Sequence, residues 1–212
     1  MLTEVVEEVL NIIGITAFAF SGAVLGVRKQ FDIVGMAVLA TATALGGGLI
    51  RDALIGATPA AALTNPWWLL LPLLATVITF IWHPQVQRLR RGVMLFDAVG
   101  LGVFCATATA KASAYGVTPL AAVLLGTITG VGGGVLRDIL AGTTPSVLRK
   151  DSRLYAVPAV GGCAVVAVAA QFATLTIWWE AAGAAVIVLV RLLALRFGWT
   201  APVPRVRFAD PG

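Results

Sequence analysis

Apolar residues in this chain come in runs of about twenty, separated by short polar or glycine- and proline-containing connectors. A run of about twenty is what a helix needs to cross the roughly 30 Å hydrocarbon core of a bilayer. Seven runs qualify, at 9–27, 32–56, 66–83, 93–112, 117–141, 154–174 and 176–195. A membrane barrel would show alternating segments of about ten residues instead. The pattern therefore predicts an all-α, polytopic membrane protein with seven transmembrane helices. Composition agrees: 59% of residues are hydrophobic and only 12% charged, where a soluble domain carries about a quarter.

The charges orient the spans. Arg28, Lys29, Arg88, Arg90, Arg91, Arg149, Lys150, Arg153, Arg191, Arg196, Arg205 and Arg207 all fall on one side of a seven-span path. The other side carries the acidic start with Glu4, Glu7 and Glu8, the uncharged 57–66 loop, Lys111 and Glu180. The positive-inside rule then places the N-terminus outside and the 196–212 tail in the cytoplasm of an inner-membrane protein. That start lacks the basic n-region of a cleaved signal. Trp67, Trp68, Trp178 and Trp179 fall at outer span ends, and Trp82 and Trp199 at inner ones, as interfacial anchors. The net charge of +5 flanks spans and forms no basic stripe with interleaved aromatics, which excludes a nucleic-acid surface.

One phrase occurs twice. Residues 39–59 align with 125–145 without a gap and share twelve of twenty-one positions, including Gly46-Gly47-Gly48, Arg51-Asp52 and Gly56 against Gly132-Gly133-Gly134, Arg137-Asp138 and Gly142. Two three-span units follow, 9–83 and 93–174, with 176–195 appended as a seventh helix. Three is odd, so the second unit enters the membrane inverted, and the copies are related by a pseudo-two-fold axis in the membrane plane. Both triplets then reach mid-membrane from opposite sides. Such inverted repeats are typical of channels and transporters.

Three consecutive glycines hold a helix poorly, each costing up to about 1 kcal/mol against alanine. They predict a kink or an unwound turn in helices two and five, whose freed carbonyls, with the hydroxyls of Thr41, Thr43, Thr127 and Thr129, suit a cation path. The competing reading is close helix packing, as expected at Gly22-x-x-x-Gly26 and Gly126-x-x-x-Gly130. The intramembrane charges Arg51, Asp52, Asp97, Arg137, Asp138 and Lys111 either line that path or brace the helices. Adjacent helix positions diverge by about 100°, so each arginine is expected to find a partner elsewhere: Asp97 for Arg137, at the same depth, and Glu7, Glu8 or Asn11 for Arg51. Lys111 is expected to snorkel.

Catalytic chemistry has little to work with. His83 is the single histidine, no phosphate loop or Rossmann fingerprint is present, and Cys105 and Cys163 read as free buried thiols. No enzyme, no metal site and no cofactor is expected. The seven spans, the paired Gly-Gly-Gly-x-x-Arg-Asp and the Phe96-Asp97-Ala98-Val99-Gly100-Leu101 opening of span four closely resemble prokaryotic relatives of the trimeric intracellular cation (TRIC) channels. These are also grouped under a glycine transporter domain present twice per chain. The resemblance covers about residues 9–195. It implies a homotrimer with a pore in each protomer, lined by kinked helices two and five and conducting monovalent cations such as K⁺ or Na⁺, with membrane lipid as the other bound species. Two other readings stay open: a secondary transporter for a small zwitterion such as glycine, and a scaffold whose glycines serve packing alone.

Overall fold

The structure is a computed structural model that describes residues 2–82, 92–149, 153–172 and 177–202. His83, Arg88, Arg90, Arg91, Lys150, Arg205 and Arg207, with most of the expected tail, lie outside the described residues. Seven long helices occur among the described residues: α1 Leu2–Arg28, α2 Ile33–Leu54, α3 Pro66–Ile81, α4 Gly92–Ala114, α5 Pro119–Leu140, α6 Ala156–Gln171 and α7 Ile177–Phe197. Single turns at Ala61–Thr64 and Ser146–Leu148 follow α2 and α5.

Local sequence accounts for the helix ends. Asp32 accepts from the Gly35 amide at 2.7 Å and caps α2. Asn65 and Thr118 cap α3 and α5, each followed by proline at the first helical position, where its missing N–H is no loss. At their other ends, α2 and α5 close alike. The Ala57 and Thr143 amides donate to the Asp52 and Asp138 carbonyls, both at 2.8 Å, around Gly56 and Gly142 at φ +70° and +65°. This six-to-one closure needs a residue in the left-handed region, which glycine enters without strain. The shared glycine ten residues past the start of each triplet is thereby explained.

Five of the seven, α1, α2, α4, α5 and α7, are long and apolar enough to cross a membrane. Helices α3 and α6, at 16 residues each, reach only about 24 Å at 1.5 Å per residue. They are shorter than the expected 66–83 and 154–174, and both end where the described segments end.

Packing follows the inverted repeat. Helix α1 packs on α2 and α3, and α2 on α3; α4 packs on α5 and α6, and α5 on α6. The halves join through α1 on α4 and α2 on α5, while α7 lies against α4 and α6. At the centre the pseudo-two-fold is visible in side chains 86 residues apart. Phe18 stacks on Phe104 with centroids 5.3 Å apart, and each ring lies over a glycine of the other half, Phe18 over Gly100 and Phe104 over Gly14.

The triplets narrow one expectation, a kink or an unwound turn. Helical structure runs uninterrupted through Gly46–Gly48 and Gly132–Gly134, so neither is an unwound turn. Instead the two helices cross there in close contact. A Cβ on Gly47 would overlap the Thr129 carbonyl oxygen, and one on Gly133 would overlap the Thr43 carbonyl and the Phe18 ring. Gly22 and Gly26 give α2 the same access to α1, and Gly126 and Gly130 bring α5 onto α4. Gly48 differs, since the first atom its Cβ would meet is an Arg51 nitrogen at 4.0 Å. Gly47→Ala is therefore expected to destabilise the fold by about 1–3 kcal/mol through overpacking. Gly48→Ala should be neutral or stabilising by up to about 1 kcal/mol through helix propensity. Thermal unfolding of both purified variants in detergent checks this; equal effects would remove the crossing as the reason for the triplet.

Candidate functional site

Helix α2 delivers Arg51 and Asp52 to the face of the bundle that carries the N-terminus, and α5 delivers Arg137 and Asp138 to the opposite, C-terminal face. Contrary to the divergence argument, each arginine bonds its own neighbour. Arg51 Nε donates to Asp52 Oδ1 at 2.8 Å, and Arg137 Nε and Nη2 donate to Asp138 Oδ1 at 2.9 and 2.8 Å. The cause is reach: a guanidinium on its long stem spans the angle between adjacent positions, and a buried fork takes the nearest carboxylate. The second aspartate oxygen ties down the turn that follows. Asp52 Oδ2 accepts from the Ala61 amide at 2.9 Å, and Asp138 Oδ2 accepts from the Ser146 amide at 2.8 Å and its hydroxyl at 3.0 Å.

Beyond this shared core the two ends differ. On the C-terminal face the cluster is closed. Arg137 Nη1 donates to Asp97 Oδ1 at 2.7 Å, with the two side chains only 4% and 3% exposed. This is the partner that equal depth suggests. Arg137 also donates to the Ser21 hydroxyl, and Tyr155 donates to Asp97 at 3.1 Å. Arg191 of α7 lies over the Tyr155 ring at 4.6 Å and donates to the carbonyls of Arg153 and Leu154. Gly134 leaves the room that Tyr155 and Asp97 fill. A well-bonded buried pair of this kind adds little net stability, but losing one partner strands the other.

On the N-terminal face the cluster opens into a cavity of about 450 Å³. Its polar lining is Glu7, Asn11, Arg51, Asp52, Thr107, Lys111 and Glu180, and its floor includes Ala44, Leu45 and Gly48. The repeat relates the two sites through residues 86 apart: Asn11 stands where Asp97 does, and Thr107 where Ser21 does. Lys111 does not run to the membrane surface; its Nζ donates to Asp52 Oδ1 at 2.8 Å while its side chain stays 29% exposed. Arg51 shares the cavity with Glu7 and Asn11, but the ion pair it makes is with Asp52.

The threonines divide. Thr43 and Thr129 are buried and donate to the carbonyls of Leu39 and Leu125, both at 2.6 Å, so their hydroxyls serve their own helices. Thr41 is half-buried, and Thr127, also half-buried, faces the Cys163 sulfur at 3.7 Å. Cys105 and Cys163 are free and buried. Gly46 and Gly132 lie against Leu136 and Gly47. Trp68 lines the cavity, unlike the exposed Trp67, Trp82, Trp178, Trp179 and Trp199. Among the described residues no cluster of three or more metal-ligating His, Cys, Asp or Glu side chains forms.

Sequence reasoning missed the part played by α7. Its buried residues are Ile177, Glu180, Gly183, Ala184, Ile187, Arg191 and Ala194, a stripe at helical spacing that carries both charges. That stripe is the available signal, whereas position alone marks Arg191 as a topology charge.

The profile of the glycine transporter family matches the chain twice, over residues 8–84 and 94–171. A UPF0126 membrane protein of Deinococcus radiodurans is 39% identical over 197 residues, which are 93% of this chain and 91% of that one. A solved structure described as the structural basis for conductance through TRIC cation channels is 34% identical with a TM-score of 0.84, over 95% of this chain and 98% of that one. The TRIC trimeric intracellular cation channel orthologue from Rhodobacter sphaeroides is 34% identical with a TM-score of 0.85, over 91% and 98%.

Breaking the Arg137–Asp97 pair tests the closed cluster. Asp97→Arg should cost about 3–5 kcal/mol by leaving buried like charges. Adding Arg137→Asp should recover part of that loss, read as melting temperature and monodisperse yield. A double variant no better than the single would show that the two side chains do not act as a pair.

Proposed function

This chain belongs to the glycine transporter family, the family of the TRIC channels, and from that membership we propose that it is a monovalent cation channel permeable to K⁺, with one path through each protomer of a homotrimer. The cavity on the N-terminal face carries the reading: about 450 Å³, open to the bundle surface and walled by five charged side chains, with Ala44, Leu45 and Gly48 of α2 also in its lining. Three carboxylates, Glu7, Asp52 and Glu180, face two cations, Arg51 and Lys111, in its wall. The intramembrane arginine and lysine are therefore neutralised with one negative charge to spare, which suits a cation and disfavours an anion.

In this reading α2 and α5 line the path and the present conformation is shut. The crossing at Gly47 and Gly133 forms the constriction, and the Arg137–Asp97–Tyr155 cluster covers the other end. Opening requires the two helices to part or bend at their triplets, where glycine offers least resistance. The loss of the Arg137–Asp97 contact accompanies it. Thr41, Thr127, Gly46 and Gly132, half-buried now, come to face the path as the crossing loosens. Orientation follows the positive-inside bias: an inner-membrane protein with the N-terminus outside and the cavity facing the exterior.

The one-sided cavity, holding both signs of charge, is also what a carrier for a small zwitterion would present. Recording from purified protein in planar bilayers under a KCl gradient separates the two. Unitary currents reversing near the K⁺ equilibrium potential are expected, with native mass spectrometry giving a trimer. Saturable, substrate-coupled flux without unitary events would sink the channel. A dimer or monomer would remove the trimeric arrangement.

A further inference from the structure

Glu180 stands outside every interaction that the duplicated units account for. It sits on α7, beyond the two repeats, at the N-terminal face and on the helix side packed against the bundle. Its residue is 5% exposed, yet no hydrogen bond or ion pair joins it to another described residue, and its carboxylate lines the cavity. The nearby cations are engaged elsewhere: Lys111 and Arg51 both close on Asp52. Glu7, the other carboxylate in that wall, repels it. A buried carboxylate with no partner is expensive; a proton relieves it at the cost of its charge, and a cation in the cavity relieves it with the charge kept.

The closed end shows the contrast. There α7 contributes Arg191, eleven residues on, about 16 Å along the helix axis. Arg191 and Arg137 face Asp97 and Asp138, so that cluster balances internally. At the open end Arg51 and Lys111 face Asp52, Glu7 and Glu180. The repeat alone would give neither the open end's surplus carboxylate nor the closed end's second arginine; both come from the seventh helix.

We propose that Glu180 is the selecting carboxylate of the cavity, holding a partly hydrated monovalent cation there and raising its local concentration ahead of the constriction. The proposal rests on the channel reading for its consequence but not for its binding step. Neutralising the carboxylate at constant size, Glu180→Gln, should lower unitary K⁺ conductance at least about twofold in dilute KCl and shift the reversal potential toward weaker cation preference. The difference should shrink near 1 M salt, where the Debye length falls to about 3 Å. Glu180→Asp should stay near wild type. Unchanged conductance and reversal potential in dilute salt would overturn the proposal.

A second measurement does not need conduction. Trp68 lines the same cavity, so Tl⁺, a heavy substitute for K⁺, should quench tryptophan fluorescence with a saturable component in the wild type that Glu180→Gln removes. No saturable component in the wild type also overturns the proposal. Wild-type quenching without unitary currents would keep the site and remove the channel. Where Glu180→Gln fails to assemble, Glu7→Gln at its exposed position should give the same effects at smaller size, and no effect there counts against the surplus charge.

Discussion

The close approach of α2 and α5 at Gly47 and Gly133 is the constraint on which the rest of this molecule depends. Neither helix can come this near the other with a side chain in the way, because each glycine faces a carbonyl oxygen of the opposite helix. Packing in lipid has no hydrophobic gain to draw on, so contact of this kind between backbones is a main source of helix association. Once the crossing is fixed, the Phe18–Phe104 stack lies beside it on the same pseudo-axis. The Arg-Asp that follows each triplet, one helical turn or so later, is then carried to opposite ends of the bundle. Helix crossing and charged ends form one geometric consequence of a duplicated sequence phrase, and the aromatic pair, from outside that phrase, obeys the same pseudo-symmetry.

Much of this was legible in the chain. The all-helical architecture follows from apolar runs of about twenty residues, although only five of the helices among the described residues are long and apolar enough to cross a membrane. The inverted relation follows from parity, which is insensitive to errors of a few residues. The partnership of Arg137 with Asp97 was also readable, because depth alone brings them level. What escaped reading depends on rotation about helix axes rather than depth. Arg51 and Asp52 diverge as Cα–Cβ vectors, but an arginine side chain is long enough to curl back, and burial leaves it no water to prefer. The depth of Lys111 near a span end suggests a snorkelling lysine. The carboxylate of Asp52, on another helix, is close enough to hold it instead. Glycine weakens a helix and so predicts a kink or an unwound turn at each triplet; no turn is unwound, and the bare backbones permit close contact between the helices. Gly48 shows the limit of that explanation, since open space lies beside it, and its conformational freedom remains available for motion.

Pseudo-symmetry in such a fold creates a difficulty for any directional or gated path. Two identical halves, inverted, would present the same mouth to both sides. The halves differ at most positions outside the shared phrase, and around the two arginines the differences are chemical. Where one half has Asp97, the other has Asn11; where one has Ser21, the other has Thr107. The first replacement matters more. An aspartate beside Arg137 draws the cluster shut, whereas an asparagine beside Arg51 offers no charge. Arg51 closes on Asp52 alone, and space is left for water.

Helix α7 completes that asymmetry, since it has no counterpart in either unit. A single buried stripe presents Glu180 to the open end and Arg191 to the closed end, adding opposite charges to two sites that the repeat would leave related. At the closed end the guanidinium stacks on Tyr155 and bonds the backbone of the loop bearing it, which holds that phenol against Asp97. At the open end the carboxylate makes no ion pair among the described residues. One helix thus braces the closed cluster on one face and adds a carboxylate to the cavity on the other. A duplicated bundle acquires a direction by the addition of one unduplicated element.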